Sequence, residues 1–144
     1  MDELLNSLKV SVLHTETPPN TDVYNLFLAE CSKLMRMSGM SRPMIADRMN
    51  DAIGGESVVT ATKLNKWFSP GTDQCMPAHF LPAFCWAVRS IEPVNELLKP
   101  LAFKAIDHRG QLFQQFAELS LDATNKKQAA DQMAAELIRL TRPE

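Results

Sequence analysis

Apolar positions along the chain repeat at helical spacing, and nowhere do they alternate as in a strand. Leu4, Leu5, Leu8 and Val12 mark a short N-terminal helix, followed by Pro18-Pro19, which breaks it. The next helix starts at Thr21 or Asp22, either of which can cap it. It places Val23, Phe27, Glu30, Leu34 and Met37 on related faces and stops at Gly39. Ser41 caps a third helix, with Pro43 in its first turn and Ile45, Ala46 and Met49 facing inward, until Gly54-Gly55 ends it. Thr60 caps the following helix to about Ser69, with Leu64, Trp67 and Phe68 inward.

Two more short helices are expected, over about 77–89 and from Pro93. Pro82 falls in the first turn of one or kinks it, and Pro100 bends or shortens the other. From His108 the pattern changes. Leu112, Phe116, Leu119, Ala123, Lys126, Ala130, Met133, Leu137 and Leu140 alternate spacings of four and three, a heptad seam uninterrupted before Pro143. The expected organisation is all-α: an N-terminal arm and linker over 1–20, a helical domain over 21–106, and an amphipathic helix over 107–144.

Length and composition narrow the class. A chain of 144 residues with 45% hydrophobic content can fill one core. The formal net charge of −2 argues against a protein that coats nucleic acid without specificity, but leaves room for a locally basic face. Three cysteines without CxxC spacing, an acidic Met1-Asp2-Glu3 start and no apolar run of membrane-spanning length predict a cytoplasmic protein with free thiols and no membrane partner.

The segment from Ser41 to Trp67 carries the functional expectation. Ala46 is small where two helices would cross. Thr60, Leu64 and Trp67 supply a cap, an inward residue and an anchor three positions later. Ala61, Thr62, Lys63, Asn65 and Lys66 are short or polar, as a surface entering the DNA major groove requires. These residues resemble the lambda-repressor/Cro-like helix-turn-helix superfamily, with phage regulators of the Cro and CII kind. The matching positions are Ile45-Ala46-x-x-Met49-Asn50, then Val59-Thr60-x-x-Lys63-Leu64-Asn65-Lys66-Trp67, then Gly71. The likeness covers about residues 22–103.

It implies a five-helix domain that binds operator DNA as a dimer or tetramer, without a cofactor. Asn50 stands where the family has its turn glycine, and residues 51–58 are an insertion that lengthens the first helix or loosens the turn. The expected DNA contacts are Thr62, Lys63, Lys66 and Asn65, which can pair with adenine, together with Ser41, Thr60, Arg42 and Arg48 at the phosphates.

The heptad helix predicts self-association through Leu112, Phe116, Leu119, Met133, Leu137 and Leu140; the plainer reading folds it back on its own domain. Other constellations point elsewhere only weakly. Cys75, His79 and Cys85 are three ligands where structural zinc wants four, so no metal is expected. Asp107-His108-Arg109 has no nucleophile beside it, so no enzyme is expected. Met35, Met37, Met40 and Met44 pack helices or line an adaptable groove. The alternative to a DNA-binding regulator is a helical interaction factor, antitoxin-like or a phage accessory protein, with a helix-turn-helix-like fold that does not bind DNA.

Overall fold

The computed structural model describes residues 10–142, and every regular element in that span is helical. The expected helix on Leu4, Leu5 and Leu8 lies outside the described residues; Val12–His14 forms one 3-10 turn capped by Ser11. Six α-helices follow: α1 Tyr24–Met37, α2 Arg42–Ile53, α3 Ala61–Trp67, α4 Leu81–Val88, α5 Glu92–Leu98 and α6 His108–Thr141. No helix among the described residues is long and apolar enough to cross a membrane. The chain divides into two compact units between Ala105 and Ile106.

In the first unit, α1 to α4 surround one core. Leu28, Cys31 and Met35 of α1 meet Ile45, Ala46 and Met49 of α2, Leu64 and Trp67 of α3, and Phe84, Ala87 and Val88 of α4. Phe84 sits at the centre, fully enclosed, with the Phe68 ring 4.9 Å away. The α1 stripe is the 28-31-35 row, with Phe27 and Leu34 beside it. Met37 is 71% exposed because, two residues beyond Met35, it points to the side of the helix away from that row. Of the methionine group, Met35 is buried, Met40 half-buried, and Met37 and Met44 exposed.

The start of α1 also departs from expectation. Neither Thr21 nor Asp22 caps it; Val23 occupies the N-cap without a side-chain bond. The Asn20 side chain accepts the Asp22 amide at 3.0 Å, and Val23 N–H bonds back to Thr21, so this stretch is a turn before it is a helix.

Proline and left-handed residues set the remaining ends. A 3-10 turn at Ala78–Phe80 leads into α4, where Pro82 takes a first-turn position that needs no amide donor. Arg89 ends α4 with φ 60°. Pro93 opens α5, and Pro100 lies in the 3-10 turn Lys99–Leu101 that closes it. Asn95 is buried at 4% exposure; its side-chain oxygen accepts the Ala105 amide at 2.8 Å and its amide reaches Glu92. This ties the exit strand of chain after α5 to the helix without a regular element.

The second unit is α6. Asp107 caps it by accepting the Gly110 amide at 2.7 Å, and it runs through 34 residues without a single buried one. Leu112, Phe116, Leu119, Met133, Leu137 and Leu140 are each 52–70% exposed.

Candidate nucleic-acid interface

The α2–α3 segment is built on two capped helices. Ser41 Oγ accepts the Met44 amide at 3.3 Å, and Thr60 Oγ1 accepts the Lys63 amide at 3.1 Å. Both caps satisfy amides that have no partner inside their helix. Between the helices run Gly54 to Thr60. The helix α2 runs to Ile53 before the chain reverses. Gly54 adopts φ 137° and Gly55 φ 88°, and both amides return to the Asn50 carbonyl, at 3.2 and 2.8 Å. Gly54 is in a region that residues with a Cβ rarely enter.

Asn50 is not a turn residue. It lies inside α2, 7% exposed, and its side chain clamps the loop. The amide donates to the Val59 carbonyl at 2.8 Å, and the oxygen accepts from Val59 N–H at 2.7 Å and Val58 N–H at 3.0 Å. Val59 is thereby held in the core at 2% exposure, directly before the Thr60 cap. One side chain thus fixes where α3 begins. The separation of eight and nine residues between these partners leaves no periodic trace in the sequence.

The side chains expected to contact DNA differ in what already holds them. Thr62, Asn65 and Lys66 are exposed on α3, opposite the inward Leu64 and Trp67, and their side chains form no hydrogen bond among the described residues. Lys63 is exposed too, but its ammonium donates to the Val58 carbonyl at 2.9 Å, closing the loop from the outside. Ser41 and Thr60 are exposed and serve as helix caps. Arg42 is half-buried, with its guanidinium against the Met35 thioether; burial lowers its pKa, and the nearby Arg36 charge adds to that.

Arg48 faces another way. Its Nε donates to the Ala87 carbonyl at 3.0 Å and its Nη2 to the Trp86 carbonyl at 3.1 Å, while the guanidinium stacks 4.2 Å from the centre of the Trp86 ring. The Ala87 carbonyl belongs to the last turn of α4, and the Trp86 carbonyl also accepts the Arg89 amide at 3.3 Å, so the guanidinium adds bonds at the end of that helix. The residue expected to add a phosphate contact therefore already packs against the end of α4. Its acceptors lie 38 and 39 residues further on, beyond any local pattern.

The three cysteines are free thiols. Cys31 and Cys85 are buried and Cys75 is exposed, so Cys75 and Cys85 do not share one environment. Burial pushes the Cys31 thiol up to about 12, with Cys85 and Glu30 adding to it. Burial raises Cys85 also, and a hydrogen bond with the Val94 backbone opposes that rise. Comparison with protein-family models, curated proteins and solved structures gives no match.

Proposed function

We propose that the chain is a sequence-specific double-stranded DNA-binding transcriptional regulator of the phage type, acting as a homo-oligomer. In this reading α1–α5 form a lambda-repressor-like helix-turn-helix domain, and α3 enters the major groove. The supporting observation is the outward face of α3. Thr62, Asn65 and Lys66 are exposed and free of internal bonds, while Leu64 and Trp67 anchor the same helix to the core. Such a face holds polar groups ready without any competing internal partner. Asn65 has the donor and acceptor that match adenine, and Lys66 supplies charge for the phosphates.

The acidic total charge makes a single face a weak binder, so two copies are needed for useful affinity. The exposed apolar seam of α6 supports association of copies, as dimer or tetramer. That same seam also supports the alternative, a helical interaction factor that does not bind DNA.

A mobility-shift titration against DNA flanking the gene, repeated across salt concentrations, separates the two. The expected result is a specific, salt-sensitive shift. Asn65→Ala should weaken it by about 1–3 kcal/mol at one base position. Lys66→Ala should weaken all sequences alike and reduce the salt slope by about one. Full binding by both variants overturns the assignment of α3. No retained DNA at low salt overturns the DNA-binding reading.

A further inference from the structure

The seam of α6 has more than one way to meet a copy of itself, and the charges along the helix discriminate among them. We propose that two copies of α6 pair antiparallel, in the alignment that sets Leu112 against Leu137 and Phe116 against Met133 of the second copy. The proposal rests on the reading of α6 as a self-association helix and is independent of DNA binding.

The four-three spacing admits a parallel in-register pair and, at near-full overlap, two antiparallel pairs one heptad apart. In the parallel pair Lys126 meets Lys126 inside the seam. The neighbouring layers are Ala123 and Ala130, too small to bury much surface around two ammoniums. The parallel pair gains Asp122 against Lys127 at its edges, but exposed ion pairs contribute little and do not offset like charges brought together in the seam. In the antiparallel pair with Phe116 against Leu140, the edges bring Asp122 to Glu136 and Lys127 to Lys127. Both contacts repel.

The remaining antiparallel pair avoids all of these. Lys126 lies over Ala123, so its aliphatic stem covers the methyl group while the ammonium reaches water. At the edges Lys127 meets Ser120 and Asp122 meets Ala129, with no like charges. Phe116 against Met133 adds a sulfur–aromatic contact, and Leu119 falls opposite the small Ala130. Within α6 itself only Glu136 and Arg139 form an ion pair, so Asp122, Lys126 and Lys127 have no salt bridge among the described residues.

The test uses the full chain carrying Cys75→Ser, which leaves the two buried thiols in place. Chains with Leu112→Cys are mixed with chains carrying Leu137→Cys, oxidised gently, and resolved without reductant; sedimentation runs in parallel under reducing conditions. Phe116→Cys with Met133→Cys repeats the experiment at another layer, in case one leucine loss weakens pairing. The expected result is a cross-linked dimer in each mixture and only traces from either variant alone. Self-cross-linking of Leu112→Cys chains, with none gained on mixing, shows a parallel pair and overturns the proposal. A sedimenting dimer without cross-links at either layer overturns the alignment but leaves self-association standing. A monomer at every concentration, with the seam cysteines absent, overturns both.

Discussion

Asn50→Ala tests the central structural claim, that a single amide holds the loop ahead of α3. The substitution removes one donor and one acceptor and leaves the Val59 N–H and C=O without their partners. Val59 is 2% exposed, so water cannot replace them without opening the core. Each buried group left unpaired costs about 1–3 kcal/mol, so the pair predicts a loss of about 2–6 kcal/mol. A domain of this size has about 5–15 kcal/mol in total, so the effect is large enough to see directly. Urea unfolding followed by the emission of buried Trp67 gives the measurement, and an unchanged slope would show that only stability moved. Asn50→Asp keeps the acceptor for both amides but turns a carboxylate oxygen toward the Val59 carbonyl. Its loss should be comparable, with the carbonyl as the remaining orphan. A loss below about 1 kcal/mol for Asn50→Ala would refute the clamp, since even one orphaned buried group exceeds that.

Arg48→Met keeps the aliphatic stem and removes both carbonyl bonds; it should cost about 1–2 kcal/mol and make the half-exposed Trp86 easier to quench with acrylamide. Gly54→Ala should cost about 1–3 kcal/mol in the same unfolding assay, all of it backbone strain, because no atom lies within 4 Å of the added Cβ. A thiol reagent at pH 8 should titrate Cys75 alone in the native chain and all three cysteines after denaturation; rapid reaction of a second native thiol would contradict the burial of Cys31 and Cys85. The folded Cys31 keeps its proton to about 12, whereas the unfolded thiol loses it above its ordinary value of 9.0. The raised folded value therefore favours the native state below pH 9, and that contribution declines as pH rises from 9 toward 12.

What the sequence conveyed was whatever acts locally. Ser41 and Thr60 cap the helices they precede, and Ile45, Ala46, Met49, Leu64, Trp67 and Phe68 all lie in the core. Those assignments need only a spacing of three or four and a hydroxyl before a helix. Asn50 was legible as an unusual residue but not as a clamp, because its partners belong to a loop whose path only the fold determines. Lys63 is similar: it sits on the expected outer face, yet its charge closes the loop through Val58. The hydrogen-bond partners of Arg48 come from the end of α4, 38 and 39 residues further on. Met37 is exposed for a simpler reason, since two residues beyond Met35 it turns to the side of α1 away from Leu28, Cys31 and Met35.

The absence of any buried residue on α6 separates two time scales of backbone opening. Amides beside Phe84 exchange with solvent only when the core opens as a whole, so their protection follows global stability. With no buried side chain, the amides of α6 rely on helical hydrogen bonds, and peptide helices form and melt within about a microsecond. Deuterium uptake there would be fast in dilute solution and would slow only as copies come together. The concentration dependence of uptake along residues 108–141 thus reads out association directly, while the core of the first unit serves as the internal clock.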